Sequence, residues 1–190
     1  MVGKLIIVEG IDGSGKSTLI DGLKYLGIPD YVFNYSYPKE ANIFQCGAFA
    51  KGEYIASLRI FQQLIARDKV IVTDRFHLGE YAYGLVMRHY PKWFAEKIIE
   101  DTENYMINED NKLKFPIYAI ILHSSPSTIL KRKGSLKNEY PTTEEELYDI
   151  DKYYTVVPTR LKCLHITTDS LQYNNRPDLV LKEAVRWLSS

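Results

Sequence analysis

The chain has 190 residues, 45% of them hydrophobic, and its 24 Lys+Arg balance its 24 Asp+Glu. These values are typical of one globular domain with a sizeable core and exclude a disordered chain. The zero net charge gives no electrostatic footprint for nucleic acid or an anionic membrane, and no apolar run approaches the roughly 20 residues that span a bilayer. Two cysteines cannot form a disulfide framework, and the N-terminal apolar run is too short for a signal peptide. We therefore expect a reducing, cytoplasmic location.

Short apolar runs alternate with segments of helical periodicity along the chain. The first run, Leu5-Ile6-Ile7-Val8, is continuous, which is typical of a strand buried on both faces. The pattern predicts strands over residues 4–9, 31–35, 70–72, 117–122 and 161–166. It predicts helices over residues 19–26, 53–66, 78–89, 93–106, 127–132 and 142–154, and a last helix that begins at Pro177. Thr142 is the predicted cap of the 142–154 helix, with Glu145 as its capping-box partner.

Strands that alternate with helices predict an α/β fold. We expect three layers, with a five-stranded parallel sheet between two layers of helices, in a single domain over residues 1–190. Such sheets bind their ligands at the carboxyl ends of the strands, so functional residues are expected there.

A phosphate-binding loop follows the first predicted strand. Residues 10–17 read Gly-Ile-Asp-Gly-Ser-Gly-Lys-Ser, a complete G-x-x-x-x-G-K-[ST] pattern between a buried strand and an amphipathic helix. In this pattern backbone N–H groups surround phosphate oxygens, Lys16 supplies a cation at the transferring phosphate, and Ser17 offers a hydroxyl to Mg²⁺. The sequence therefore predicts a P-loop NTPase fold that binds phosphate and Mg²⁺, and the loop alone does not separate kinases from GTPases or motor ATPases. The predicted nucleotide-binding residues are Gly10, Asp12, Gly13, Ser14, Gly15, Lys16, Ser17 and Thr18.

Asp12 is unusual in such a loop, because a carboxylate repels the anion that the loop surrounds. We expect it to point outward, toward a hydroxyl of a second ligand, although a simple turn residue is the alternative. Residues 111–114 (Asn-Lys-Leu-Lys) approach the guanine-reading N-K-x-D pattern of GTPases but end in Lys, which disfavours a GTPase.

Residues 9–18 and the tripeptide Asp74-Arg75-Phe76 together resemble the thymidylate kinase family, which shares its phosphate loop and fold with the deoxynucleoside kinases. The resemblance runs through nearly the whole chain, although only these two segments are sharp. It implies Mg²⁺-dependent transfer of the ATP γ-phosphoryl group to a deoxynucleoside 5′-monophosphate, with dTMP, converted to dTDP, as the leading acceptor. By the family pattern Asp12 would bind the acceptor 3′-hydroxyl, Asp74 would hold Mg²⁺ through water, and Arg75 would bridge donor and acceptor phosphates.

Two weaker matches concern the acceptor sugar and phosphate. Tyr83 corresponds to a tyrosine whose ring lies beneath the sugar, and Lys39 follows Tyr37-Pro38 where a basic residue touches the acceptor phosphate. Without the family, Tyr83 is equally a core residue and Lys39 a solvated charge.

Three further positions concern the acceptor base. Arg59 matches an arginine that faces the base, while Ile55 stands where the family has a stacking aromatic ring. Glu80 replaces a small polar residue and could accept one hydrogen bond from thymine or two from guanine, so dGMP stays open as an acceptor. The alternatives are a solvated charge for Arg59 and a favourable first-turn acid for Glu80.

A basic cluster is predicted to form a lid over residues 131–142, containing Lys131, Arg132, Lys133 and Lys137. Some relatives carry an arginine in the phosphate loop, whereas this chain has Gly13 and Ser14 there. Arg132 is therefore the predicted cation over the donor phosphates, and the catalytic set is Lys16, Arg75 and Arg132. A solvated run of charge is the alternative.

Two rival functions stay open. A deoxynucleoside kinase would need a base to take a proton from the acceptor hydroxyl, and Glu9 ends the first strand where it could serve either function. A nucleotide-binding regulator without turnover would have no need of intact Lys16, Ser17 and Asp74, so their presence disfavours this alternative.

Nucleotides are the predicted partners. Kinases of this family usually pair through helices beside the sheet, so a homodimer is a candidate, although the sequence itself does not reveal the oligomeric state.

Overall fold

A computed structural model describes residues 2–35, 43–133 and 143–189, and the side chains of 43–46 and 133 are also outside the description. The sheet contains five strands, all parallel, in the order β2-β3-β1-β4-β5. The strands are β1 (Lys4–Gly10), β2 (Tyr31–Asn34), β3 (Val70–Asp74), β4 (Ile117–His123) and β5 (Cys163–Thr167). The predicted five-stranded parallel sheet is therefore confirmed.

Helices cover both faces of the sheet. In the described ranges they are α1 (Lys16–Tyr25), α2 (Ile43–Ile65), α3 (Leu78–Met87), α4 (Lys92–Met106), α5 (Pro126–Lys133), α6 (Glu144–Thr155) and α7 (Pro177–Leu188). Leu5 and Ile7 of β1 pack into a core with α2 to α6, whereas Ile6 and Val8 pack into a second core with α1 and α7. The continuous apolar run of β1 thus follows from burial on both faces, and the three-layer α/β class is confirmed.

The predicted start of α2 was wrong. Helix α2 begins at Ile43 rather than near residue 53, because Gly47 and Gly52 weaken the sequence signal for helix. Gly47 nevertheless suits the fold, since a Cβ there would lie 2.5 Å from the ring of Phe94 on α4.

The cap of α6 is Thr143 rather than Thr142. Thr143 Oγ1 accepts from the Glu146 amide at 3.1 Å, and the Glu146 side chain accepts from the Thr143 amide at 3.0 Å. The sequence Thr-Thr-Glu-Glu-Glu offers two registers for this box. The completely buried Leu147 and Ile150 occupy the core in the register observed.

The carboxyl ends of β1, β2 and β3 lie side by side at one edge of the sheet, where Val8 is paired with Asp74, and Asp74 with Asn34. None of the helices in the described ranges is long and apolar enough to cross a membrane.

Candidate active site

The phosphate loop connects β1 to α1 and depends on two glycines. At Gly10 a Cβ would lie 2.3 Å from the carbonyl oxygen of Leu122, so any side chain would collide with β4. Gly15 caps α1 with a φ of 104°, a left-handed conformation that side chains disfavour. The loop backbone and the positive end of α1 therefore face the same space, as anion binding requires.

Lys16 lies inside the loop and is 6% exposed. Its Nζ donates to the carbonyl oxygens of Gly10 at 2.9 Å and Ile11 at 3.0 Å, and lies 3.6 Å from the Asp12 carboxylate. Burial, together with the charge of Arg75, lowers the pKa of Lys16 to about 8, so the ammonium is still largely charged at neutral pH.

Arg75 follows β3 and has a left-handed backbone, with a φ of 65°. Its guanidinium donates to the Asp12 carboxylate, lies 3.4 Å from the Tyr83 hydroxyl, and sits over the Tyr83 ring at 5.1 Å. Burial opposes the charge of Arg75, but nearby Tyr83 and Asp12 outweigh it and hold its pKa above the usual range. Its Nε is buried and has no hydrogen-bond partner among the described residues.

Asp12 lies between the two cations, and its backbone is held by α3. Its amide donates to the Tyr83 hydroxyl at 3.1 Å, which ties the phosphate loop to α3. The same carboxylate oxygen contacts Arg75 and lies 3.6 Å from Lys16 Nζ, and its predicted contact with a hydroxyl of a second ligand stays a prediction.

Arg132 reaches the loop from the last turn of α5. Its Nη1 lies 3.0 Å from the carbonyl oxygen of Gly13 and 3.3 Å from the Thr168 hydroxyl. Lys131 beside it is exposed. The side chain of Lys133 and all of residues 134–142, including Lys137, lie outside the described residues.

These groups line one cavity of about 590 Å³. Its wall contains most of the predicted loop, together with Asp74, Arg75 and Arg132. Sequence reasoning missed other lining residues, which are Leu19, Asn34, Tyr35, Thr168, Tyr173, Asn175, Arg176, Pro177 and Val180. Asn34 ends β2 and Thr168 directly follows β5, so the rule on carboxyl ends could have found them. The loop of residues 173–176 carries no comparable signal.

Ser17 and Asp74 also line this cavity. The described residues contain no cluster of three or more His, Cys, Asp or Glu able to hold a metal ion. Mg²⁺ usually takes only one or two protein oxygens and completes its octahedron with phosphates and water, and the Ser17 hydroxyl and the Asp74 carboxylate are oxygen donors of that kind. The donor set therefore suits Mg²⁺ that arrives with a nucleotide.

The predicted base-contacting residues do not line the cavity. Arg59 is exposed on α2, with its guanidinium 5.9 Å from the Tyr105 ring centre, and Ile55 is half-buried on the same helix. Their contacts with an acceptor base stay predictions without geometric support, and the position of Arg59 fits the alternative of a surface charge. Lys39 lies outside the described residues.

Glu80 is 2% exposed, and its carboxylate binds other side chains of the protein. Its carboxylate accepts from Arg88 Nη1 at 3.1 Å and from the hydroxyls of Tyr54 at 3.3 Å and Tyr90 at 3.4 Å. Burial raises the pKa of Glu80, and the Arg88 charge opposes that shift. In this arrangement Glu80 holds α3 to its neighbours, and its predicted contact with a base stays a prediction.

Comparison with known proteins identifies relatives along most of the chain. A probable thymidylate kinase from Picrophilus torridus is 28% identical over 93% of this chain and 93% of its own length. A thymidylate kinase from Mycoplasma genitalium is 23% identical over 90% of this chain and 89% of its own. No protein-family model matches the chain. The resemblance to thymidylate kinases inferred from the sequence is confirmed by these relatives.

Solved structures share the fold. The YorR protein of Bacillus subtilis, in complex with phosphorylated GDP, has a TM-score of 0.61 at 20% identity, covering 97% of this chain and 95% of its own. Deoxyadenosine kinase from M. mycoides, with the products dCMP and a flexible dCDP, also has a TM-score of 0.61, at 18% identity over 96% of this chain and 99% of its own. Thymidylate kinase from Ehrlichia chaffeensis has a TM-score of 0.56 at 16% identity, over 99% and 100% of the two chains. The three-layer P-loop NTPase fold predicted from the sequence is confirmed.

Proposed function

We propose that this relative of the thymidylate kinases is a cytoplasmic nucleoside monophosphate kinase. With Mg²⁺ it transfers the γ-phosphoryl group of ATP to a deoxynucleoside 5′-monophosphate, with dTMP, converted to dTDP, as the leading acceptor. A nucleotide kinase enzyme is supported by the named relatives and by the fold. The single observation that carries the proposal is the convergence of Lys16, Arg75 and Arg132, from three separate elements, on one cavity that Ser17 and Asp74 also line.

The donor phosphates bind against the loop backbone and the N-terminus of α1. Lys16 and Arg132 neutralise charge on these phosphates from two sides, since Arg132 lies 3.0 Å from the Gly13 carbonyl of the same loop. When bound, Mg²⁺ withdraws charge from the donor phosphates. Phosphoryl transfer then needs positioning and charge neutralisation, and no covalent enzyme intermediate.

The acceptor phosphate binds near Arg75, whose planar guanidinium can donate to oxygens of both nucleotides at once. The Asp12 carboxylate and the Tyr83 hydroxyl both contact that guanidinium. We assign Asp12 to the 3′-hydroxyl of the acceptor and the Tyr83 ring to its sugar. This places the two phosphates on either side of Arg75, which reduces their mutual repulsion.

The deoxynucleoside kinase alternative is favoured by the likeness to deoxyadenosine kinase. It requires a carboxylate that can take a proton from the acceptor hydroxyl. Glu9 is unsuited to that task, because it is completely buried and does not line the cavity. This observation favours a monophosphate acceptor, which needs no such base.

The proposal is tested by measuring ADP release from ATP with each common deoxynucleoside and each 5′-monophosphate, using Lys16→Ala as the blank. Turnover with dTMP and not with thymidine supports the proposal. Release only with dGMP would reassign the base pocket, and release only with nucleosides would move the protein to the rival class. Absence of release with every acceptor would contradict a kinase.

A further inference from the structure

Glu9 at the end of β1 is completely buried and belongs to no assigned part of the site. One oxygen, Oε1, accepts from the amides of Phe76 at 2.7 Å and Gly79 at 3.2 Å. The other, Oε2, accepts from the Tyr154 hydroxyl at 2.9 Å. A single carboxylate therefore joins the turn after β3, the first turn of α3 and the last turn of α6.

The turn that Glu9 holds is the one that aims Arg75. A left-handed backbone at a residue other than glycine costs on the order of 1 kcal/mol and persists only where the surroundings impose it. Two consecutive hydrogen bonds impose it here: the Arg75 amide donates to the Val8 carbonyl at 2.8 Å, and the next amide, of Phe76, donates to Glu9. The last residues of β1 thus fix the backbone on which the guanidinium is carried.

Tyr154 completes the same support. It is completely buried, and its ring packs edge-on against Tyr83 with 6.3 Å between ring centres. Tyr83 in turn contacts both Arg75 and the Asp12 amide. A Cβ on Gly79 would lie 3.2 Å from the Tyr154 hydroxyl and 3.3 Å from Glu9 Oε2, so glycine allows these groups to meet.

Burial of the Glu9 carboxylate disfavours its charged form. Burial raises the pKa of Glu9 to about 7, and the Phe76 amide, Tyr154 and the Arg75 charge only partly oppose that shift. The charge of Glu9 acts on both Arg75 and Lys16, so the group bears on the two central cations of the site without facing the cavity.

We propose that Glu9 and Tyr154 are positioning residues of the transfer reaction, which hold the Arg75 turn and the Tyr83 ring in the geometry that places the guanidinium between the two nucleotides. The proposal rests on the proposed function. It assigns neither residue a contact with substrate, so their loss acts on kcat rather than on ATP binding.

Three variants separate hydrogen bonding, charge and stability. Glu9→Ala removes every bond to the turn, and we expect kcat to fall on the order of a hundredfold, with the KM for ATP changed by no more than about threefold. Glu9→Gln keeps an oxygen for the Phe76 and Gly79 amides but loses the charge and replaces the Oε2 that accepts from Tyr154 by an NH₂ group, so we expect it to recover part of that loss. Tyr154→Phe deletes one hydroxyl, and we expect a loss of about tenfold.

The matched control is Ile150→Val, which removes one methylene from the buried face of α6, the helix that carries Tyr154. Equal losses of kcat in Tyr154→Phe and Ile150→Val would show that Tyr154 acts only through stability and is not a positioning residue. Unchanged kcat in correctly folded Glu9→Ala would show that Glu9 is not a positioning residue. Where Glu9→Ala does not fold, Glu9→Gln must show a lower kcat than wild type with an unchanged KM for ATP, and a wild-type kcat overturns the assignment.

Amide hydrogen exchange distinguishes failure of this inference from failure of the proposed function. We expect faster exchange at Phe76 and Gly79 in Glu9→Ala, and at neither in Ile150→Val, whether or not any acceptor is turned over. Wild-type exchange at both amides in Glu9→Ala would show that Glu9 does not hold the turn. If the wild-type protein had no kinase activity while the two variants showed this exchange pattern, the proposed function would be refuted. The conclusion that Glu9 holds the turn would still stand.

Discussion

The proposed donor half and the proposed acceptor half of the site are built in different ways. Most of the proposed donor half is one continuous segment, in which Lys16 is held by carbonyl oxygens only five and six residues earlier, and Arg132 reaches this segment from α5. The acceptor half joins Asp12, Arg75 and Tyr83, and Asp12 and Arg75 are 63 residues apart in the chain. The donor half therefore depends on local backbone geometry, while the acceptor half depends on supports such as Glu9 and is sensitive to changes remote from the substrates.

The largest effect is expected from Lys16→Ala in the donor half. It removes the cation closest to the transferring phosphate, so kcat should fall about a thousandfold while the fold is retained. ADP release and thermal unfolding measure the two quantities. Near-normal turnover in this variant would contradict the mechanism.

The support of the acceptor half should be visible in the pH dependence of stability. Glu9 has a pKa of about 7 in the folded chain against 4.5 normally, so its contribution to stability is fully present below pH 4.5 and is lost as pH rises through about 7. Between these limits the free energy of unfolding should fall by up to about 3 kcal/mol more in wild type than in Glu9→Gln. Urea unfolding at several pH values measures this difference. Identical pH profiles of unfolding free energy for the two proteins would show that the pKa of Glu9 is not raised in the folded chain.

Within the acceptor half, Arg75→Lys keeps the charge but loses the planar fork that reaches two phosphates. We expect kcat to fall roughly thirtyfold to a hundredfold and the KM for the acceptor to rise, with the KM for ATP nearly unchanged. The matched control is Arg67→Lys, at an exposed turn after α2. If Arg75→Lys altered only the KM for ATP, Arg75 would have to be reassigned to the donor half.

The smallest effect is expected from Arg59→Ala. Because Arg59 is exposed and lies over Tyr105, we expect less than about a twofold change in the KM for the acceptor. Steady-state kinetics with dTMP measures it. A rise of tenfold or more, with kcat unchanged, would restore the predicted contact of Arg59 with the base and extend the acceptor half to α2.

Much of the donor half could be predicted from sequence because its signals are local. Gly10, Lys16 and Ser17 occur at fixed spacing between a buried strand and a helix, and that spacing alone requires the loop. The same local reasoning failed at the α6 cap, where two adjacent threonines each precede a glutamate by three residues. Packing of Leu147 and Ile150, not the capping pattern, chose between them.

The acceptor half was less predictable from the residues. Glu80 and Arg59 carry polar groups that could bind a nucleotide base. In the structure, however, the buried Glu80 binds Arg88, and the exposed Arg59 lies over the Tyr105 ring. Glu9 could be placed at the end of β1, yet nothing local indicated that its oxygens would bind the amides of Phe76 and Gly79. Side-chain type shows what a group can bind, and only the fold shows which partners reach it.

The sequence by itself determined the alternation of strands and helices and the phosphate loop, because hydrophobic period and glycine positions act over a few residues. Only the tertiary structure decided the left-handed turn at Arg75, the burial of Glu9 and the meeting of Tyr154 with Tyr83. These features join segments 67 to 145 residues apart, and their free energy exists only after the sheet and α6 have packed together.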